Sequence, residues 1–400
     1  MAGLFDGPSY GEERGPFPSP PCVCTLYSVV DLSFLALMRF FVFHCICISN
    51  LPQRRWLSSW KTRFLDPKFI KKFIFQNTDL WNDPQLLIQR RQKGRSVYSL
   101  HSHRSLRLVS GPAQLEKPEL VSGNFEVRCG CKGLFCLADG DGSGFSNIVL
   151  WNPATTQTKL LPVSNLDQAL DGYARMSEVI GFGFDPEKND YKVVRTVVRF
   201  TADEDIEESS EVYSLKSDSW RTIYIRPHDF PGTIHYSVPS ESDDGRLFYW
   251  WGPLLHFISF DMRSEECEGM RLGYPDESMN AAFSVRSVSL VKGSTVVIFS
   301  DGRIDRHEPN ELQTWVRLDF EDRMTGWIEL STIKSNKLNM CMHPVGIWKD
   351  KRCFLQRYDD GQLVVVDLEK GEFLPIELQI QGDWESFKIF PYTPCEVSLE

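Results

Sequence analysis

No part of this 400-residue chain supplies the roughly 18 to 20 uninterrupted apolar residues that a membrane-spanning helix requires. The nearest approach, residues 22–48, is broken by Asp31, Arg39 and His44, so a buried or incompletely folded helix is the better reading and no membrane is expected as a partner. A secretory signal is not expected either. The first twenty residues hold Asp6, Glu12 and Glu13 among prolines, where a basic start and an early apolar core belong.

Local traces of catalysis are equally scarce. Eight histidines stand at positions 44, 101, 103, 228, 235, 256, 307 and 343, and none forms the His-x-x-x-His pair of a zinc enzyme. There is no phosphate-binding Walker loop and no nucleophile elbow, and Gly181-Phe182-Gly183-Phe184 lacks the third glycine and the following helix of a dinucleotide site. Three Cys-x-Cys pairs occur among eleven cysteines, at Cys22/Cys24, Cys45/Cys47 and Cys129/Cys131, without the spacing or the second ligand pair of a structural zinc site. The run from Cys129 to Cys136 reads instead as small apolar side chains on a buried strand. Asp139-Gly140-Asp141-Gly142-Ser143-Gly144 opens like a calcium loop, but its twelfth position is Leu150 where a bidentate glutamate is needed, so it reads as a Gly-rich hairpin. No catalytic residue, metal or cofactor is expected. An odd number of cysteines without a secretory signal implies reduced thiols, in the cytoplasm or nucleus.

The net charge of −10 argues against nucleic acid as a partner, although the charge is uneven. Residues 51–107 carry thirteen Lys or Arg against three acids, whereas Asp203-Glu204-Asp205-Ile206-Glu207-Glu208 is an acidic block that reads as a solvated loop tip. Aromatic residues are plentiful, with 11 Trp, 12 Tyr and 27 Phe, which suits a chain built mainly of strands. Trp250, Trp251, Trp315, Trp327 and Trp348 are read as filling between packed sheets rather than as a sugar-stacking face.

Four regions follow from pattern. Residues 1–30 are rich in Gly and Pro and expected to be disordered. Residues 31–75 show helical pieces, 76–95 read as a linker, and 96–399 consist of short strands separated by Gly, Pro, Asn and Asp. Within the last region a loose repeat is marked by Tyr98-Ser99-Leu100, Leu150-Trp151-Asn152, Tyr213-Ser214-Leu215, Ser259-Phe260-Asp261, Arg317-Leu318-Asp319 and Val366-Asp367-Leu368. Its spacing of about 45 to 65 residues is close to that of kelch-like blades. The fold expected is mainly β, an irregular six-bladed β-propeller, with a two-sheet sandwich as the alternative. Its C-terminal strand, around Cys395–Leu399, is expected to complete a blade begun by Ser96–Leu100.

The most informative stretch runs from Val179 to Val198. Phe182 and Phe184 share one strand face, Gly181 and Gly183 leave the other bare for close approach of a backbone, Asp185-Pro186 makes the corner, Asn189-Asp190 tolerate positive φ, and Tyr191 opens a β-branched return strand. Further motifs are Cys131-Lys132-Gly133-Leu134-Phe135-Cys136-Leu137, Trp151-Asn152-Pro153, the segment from Glu211 to Trp220, and Pro344-Val345-Gly346-Ile347-Trp348-Lys349. In this order they closely resemble the plant F-box-associated domain, which includes the S-locus F-box type.

That resemblance implies a non-enzymatic receptor of an SCF-type E3 ubiquitin ligase, with the β region capturing an unidentified target protein. It also implies a preceding F-box that docks on a Skp-type adaptor and, through it, a cullin. Leu37-Met38-Arg39-Phe40 resembles one F-box segment, and Trp60-Lys61 with Asp66–Lys72 resembles its tail, which makes Leu37, Met38, Phe40 and Trp60 the candidate adaptor contacts. In the family about six residues separate the equivalents of Phe40 and Trp60; here nineteen intervene and the amino-terminal half of the box is missing. A degenerate F-box is therefore expected, with a stand-alone protein-binding propeller as the alternative function and a lectin or oxidase propeller behind it. Target contacts are expected on loops of one face, around Asp203–Glu208 and Glu241–Arg246.

Overall fold

A computed structural model describes residues 85–399, apart from 104, 111–124, 140–145, 165, 167–172, 202–205, 226–235, 239–244, 253–255, 272–282, 292–293, 302–310, 319–326, 335–341, 349–351, 369, 371, 375–379 and 384. The candidate adaptor residues Leu37, Met38, Phe40 and Trp60, and the regions read as 1–30 and 31–75, lie outside these residues.

The described chain is built from strands. Blade 1 begins with β1 (Gln85–Gln92), β2 (Arg95–Ser102) and β3 (Leu108–Ser110). Blade 2 holds β4 (Glu126–Cys131), β5 (Leu134–Ala138), β6 (Ile148–Trp151) and β7 (Thr158–Leu160). Blade 3 holds β8 (Tyr173–Asp185), β9 (Asp190–Thr201), β10 (Ile206–Ser214) and β11 (Ser219–Ile223). Blade 4 holds β12 (Tyr236–Val238), β13 (Leu247–Gly252), β14 (His256–Asp261) and β15 (Cys267–Arg271). Blade 5 holds β16 (Phe283–Val291), β17 (Ser294–Asp301), β18 (Glu311–Leu318) and β19 (Trp327–Lys334). Blade 6 holds β20 (Met342–Trp348), β21 (Arg352–Arg357), β22 (Leu363–Asp367) and β23 (Glu372–Phe373). The last strand, β24 (Lys388–Tyr392), returns to pair with β1 and completes blade 1.

Each blade is an antiparallel four-stranded sheet. The first strands approach one another in the order β4, β8, β12, β16, β20, β24 and back to β4, which closes a ring of six around a common axis. The six repeat markers fall on the third strands β2, β6, β10, β14, β18 and β22 or run just past their ends.

Two expectations need correction. β1 lies inside the span read as linker: Leu86, Leu87 and Ile88 are buried, but so is Gln89, and the polar flanks Gln85 and Gln89–Gln92 hide the strand pattern. The closing strand is Lys388–Tyr392, not Cys395–Leu399, and it pairs with β1 from Gln85↔Tyr392 to Gln89↔Lys388 rather than with the segment at Ser96–Leu100. Phe390 and Tyr392 supply the buried rings that this closure requires.

Tight turns use left-handed residues where the connection is shortest. Lys93-Gly94 and Lys132-Gly133 both have positive φ, which matches a two-residue turn to the twist of its strands. Asn189 (φ 49°) performs the corresponding job in the β8–β9 turn. Asp190 belongs to β9 instead, and its carboxylate accepts from Ser214 Oγ at 2.6 Å and the Lys216 amide at 2.9 Å.

Candidate functional site

The strand order divides the connections between two ends of the propeller. First-to-second and third-to-fourth strand turns lie at one end; second-to-third turns and the passages into each new blade lie at the other. At the first end most turns are tight, with 132–133, 152–157, 186–189, 215–218, 262–266 and 368–371 among them. The second end receives 111–125, 161–172, 224–235, 272–282, 335–341 and 374–387, as well as 139–147 and 302–310. This is the end at which loop variation can build a binding surface on a rigid ring.

The two segments expected to share a target face do not. Asp203–Glu208 runs from the β9–β10 connection into the start of β10 at the long-connection end, whereas Glu241–Arg246 precedes β13 at the short-turn end. There Arg246 Nε bonds both oxygens of Asp261 at 2.8 and 2.9 Å, and the Gly245 carbonyl accepts from the Phe184 amide at 2.9 Å. That segment fastens one blade to the next.

The motif residues are fasteners too. Phe182 and Phe184 flank Tyr191, with ring centroids 5.8 and 5.0 Å away, and the Tyr191 hydroxyl donates to the Lys132 carbonyl of blade 2 at 3.2 Å. Lys132 Nζ lies 4.0 Å from the Phe184 ring centroid. On the opposite face a Cβ on Gly181 would stand 2.7 Å from atoms of Phe248 and Val194, and one on Gly183 would stand 2.7 Å from the Gly245 carbonyl oxygen. Blade 4 thus seats against bare backbone. Gly183→Ala is expected to cost about 1–3 kcal/mol by overpacking, since the obstructing atom is main chain and cannot swing away. Urea denaturation measures it, and an unchanged midpoint would refute the close-approach argument.

Asp185 is completely buried and does more than turn a corner. One oxygen accepts from the Glu187 and Lys188 amides at 3.0 and 3.1 Å, and the other from Lys192 Nζ at 2.7 Å. Lys192, only 2% exposed, also donates to the Met262 carbonyl at 2.6 Å and to Glu265 at 2.8 Å, both in blade 4. Arg221 completes the cluster on Glu265. Burial raises the Asp185 and Glu265 carboxyls, but their bonds to Lys192, with the amides on Asp185 and Arg221 on Glu265, outweigh it and hold both below the usual range. Lys192 itself is held above its ordinary value: burial lowers it, and the two carboxylates more than offset that.

A second buried cluster centres on Arg195, whose Nε donates to Glu178 at 2.6 Å and Nη1 to Glu211 at 3.3 Å. Lys192, Arg195, Glu178 and Glu265 were not singled out from sequence. For the two cations a signal was present, since Lys192 and Arg195 stand inside the Val-rich strand β9.

Trp151 is buried between blades, 5.3 Å from Tyr98 and 6.0 Å from Phe135 by ring centroids. Asn152 follows it and holds the chain's far end: its Nδ2 donates to the Cys395 and Val397 carbonyls at 3.2 and 2.8 Å, while its Oδ1 accepts from the Ala154 amide at 3.0 Å. Gln157 adds an acceptor for the Leu399 amide at 3.2 Å. Pro153, buried, holds the corner of the same turn. Trp220 of blade 3 donates to the Pro162 carbonyl of the chain leaving blade 2, at 2.7 Å. Trp348 ends β20, paired in register with Arg352. Asp139 of the calcium-like stretch accepts from the amide and side chain of Asn147, each at 2.7 Å, which staples the β5–β6 hairpin.

Burial pushes the Cys129 thiol well up and the Cys353 thiol to about 12, so neither presents a thiolate near neutral pH. Among the described residues no group of three or more His, Cys, Asp or Glu is placed to hold a metal ion.

These features define a closed six-bladed β-propeller in which the motif residues bind blade to blade and strap the C-terminal tail. Residues 88–394 match the family described as the F-box associated beta propeller domain, and the chain belongs to that family. F-box protein CPR1 of Arabidopsis thaliana is 24% identical over 341 residues, covering 78% of this chain and 76% of that protein. Another F-box protein of the same plant reaches 31% identity over 129 residues, which span 31% of this chain and only 28% of its own length. Among solved structures, the β-propeller domain of Cps50 (Swd1) from Myceliophteria thermophila aligns with 75% of this chain and 87% of its own, at 8% identity and a TM-score of 0.35.

Proposed function

We propose that this protein is the substrate-recognition subunit of an SCF-type E3 ubiquitin ligase, contributing no catalytic residue of its own. The observation that carries the reading is the match of residues 88–394 to the F-box-associated propeller family, alongside relatives that are named F-box proteins. The long-connection end of the ring holds the target protein. Residues N-terminal to Gln85 join the ring at the short-turn end, where Gln85 pairs with Tyr392, and these are the residues that would reach the Skp-type adaptor and the cullin. Catalysis is then by proximity: tethering the target beside a ubiquitin-charged E2 raises the effective concentration of its lysines. The setting is cytoplasmic or nuclear.

A second reading is favoured by one observation, the nineteen residues between Phe40 and Trp60. Under it the propeller binds its target without a ligase. Capture of the full-length chain from cells separates the two. The first reading expects adaptor and cullin to co-purify and both to be lost from Leu37→Glu and Phe40→Glu variants. Absence of adaptor from the wild-type capture would leave the stand-alone module.

A further inference from the structure

The seam between blade 6 and blade 1 is fastened differently from its neighbours. Blades 3 and 4 close on Lys192 with Asp185 and Glu265, and blades 1 and 2 on Glu126, which accepts from Lys388 Nζ at 3.0 Å and faces Arg91 Nε at 3.3 Å. Between blades 6 and 1 the core is apolar, with Leu86 and Ile88 packed against Phe354, Leu363 and Val365. The alternation of β1 and β2 puts Arg90, Ser99 and His101 on the same face, since Ile88 pairs with Ser99 and Leu86 with His101. Gln356 enters from blade 6, opposite Leu363 in register.

His101 is 4% exposed, and its partners fix its tautomer. Nδ1 lies 3.0 Å from the Leu106 carbonyl, which only accepts, so Nδ1 carries the proton and Nε2 is left bare to accept from the Ser99 hydroxyl at 3.1 Å. Ser99 Oγ in turn accepts from Arg90 Nη1 at 3.3 Å. A second proton on the imidazole would turn the Ser99 hydroxyl hydrogen out of that bond and set two cations on one oxygen. Among the described residues no carboxylate answers Arg90, whose Nε is buried without a protein partner. Burial pushes the His101 imidazolium below its ordinary value of 6.5; the Leu106 carbonyl draws it back and Arg90 lowers it again. Blade 6 turns other charged groups toward blade 1, Arg352 opposite Asp367 in register and His343 3.6 Å from Glu385, and none of them acts on His101.

The same row supports the surface. Gln356 Nε2 donates to the Gly382 and Asp383 carbonyls at 3.1 and 2.8 Å, and a Cβ on Gly382 would stand 3.2 Å from the Arg90 Cβ. The Asp383 carboxylate accepts from the Lys93 and Gly94 amides at 3.1 and 2.8 Å, and the Gly382 amide donates to the Gly361 carbonyl at 3.0 Å. Three connections at the long-connection end, 93–94, 358–362 and 374–387, are thus held from the seam.

We propose that this seam is a proton-sensitive latch: uptake of a proton at His101 parts blade 6 from blade 1 and frees those three connections. An opened histidine binds a proton near pH 6.5 and the closed seam refuses it. Closure is therefore fully supported above that pH and weakens as the pH falls below it, by up to about tenfold per pH unit in the opening constant. A docking surface built on these connections is held firmly near neutrality and loosely in acid. That last step rests on the reading of the long-connection end as the target's; the latch itself does not.

Hydrogen exchange of the full-length chain at pH 7.0 and 5.5, each referred to the rate of the unfolded chain, tests the latch. In peptides spanning β1–β2 and β21–β22, protection is expected to fall about fivefold to tenfold at the lower pH and to be weaker there than in β8–β9. His101→Gln, which cannot take the proton, should show equal seam protection at both pH values, and His343→Gln should keep the loss. Should His101→Gln fail to fold, Arg90→Gln reads the same point, because the loss shrinks once the neighbouring cation is gone. The latch is overturned by wild-type seam protection that does not change with pH, or that equals that of β8–β9 at pH 5.5, which would mean the seam opens only with the whole fold. A loss as large in His101→Gln, or in Arg90→Gln in its place, as in the parent overturns it too. Neither adaptor nor target enters the measurement, so a failed adaptor capture leaves the latch standing, and a seam indifferent to pH leaves the ligase reading standing.

Discussion

Replacing Lys192 by methionine is expected to remove about 3–5 kcal/mol of stability at neutral pH, a large share of what holds a domain folded. The substitution keeps much of the side chain's bulk and deletes its charge. Asp185 and Glu265 then remain buried against each other's blade with only amides and Arg221 to answer them. The sign of the pH response should also reverse. In the native protein both carboxyls titrate below their ordinary values of 3.8 and 4.5, so their contribution is complete above about pH 4.5 and disappears as the pH falls through the lowered values. Without the ammonium, burial is expected to outweigh the amides on Asp185 and Arg221 on Glu265, and the folded-state values to rise above the unfolded ones. Protonation then favours the folded state, and the variant should gain stability relative to the wild type between pH 7 and 5. Urea midpoints at the two pH values measure this. A variant that loses less than 1 kcal/mol, or that shows the same pH response as the parent, would dismiss the buried cluster as a fastener.

How far such a cluster can be read from sequence depends on the kind of interaction. The blade period is visible because every third strand ends alike, and Leu150-Trp151-Asn152 and Val366-Asp367-Leu368 keep that grammar despite differing in composition. Gly181 and Gly183 announce a close approach because a missing side chain in a strand demands a reason. Lys192 and Arg195 announce charges inside a Val-rich strand but not the partners that hold them. Glu265, the partner of Lys192, is seventy-three positions beyond it, and only the folded ring brings the two within 2.8 Å. β1 is hidden for a related reason: Gln89 looks solvated in the sequence, yet it is buried to hold the Val127 amide of the neighbouring blade. The division of loops between two ends likewise requires the strand order. Asp203–Glu208 and Glu241–Arg246 look alike as polar connections until the one is seen to follow a second strand and the other a first.

The closing strand and the tail beyond it make separable contributions, and two truncations should tell them apart. A chain ending at Phe387 lacks β24, so β1 loses its partner from Gln85 to Gln89, and Phe390 and Tyr392 leave the core they share with Phe135 at 6.0 and 5.7 Å. A propeller ring has no other element to fill that position, and an open inner edge between β4 and β20 exposes apolar surface to aggregation. No cooperative thermal transition is expected. A chain ending at Tyr392 keeps the ring and loses only the strap. Asn152 gives up two hydrogen bonds, each contributing about 0.5–1.5 kcal/mol, and Leu399 gives up burial that contributes about 1.5–3 kcal/mol. Because Asn152 becomes reachable by water once the strap is gone, the loss should settle near 2–4 kcal/mol, with the transition still cooperative. Calorimetry on both chains decides the matter. If the shorter one unfolds as cooperatively as the longer, the ring is not closed by β24, and the placement of Gln85 beside Tyr392 at the short-turn end falls with it.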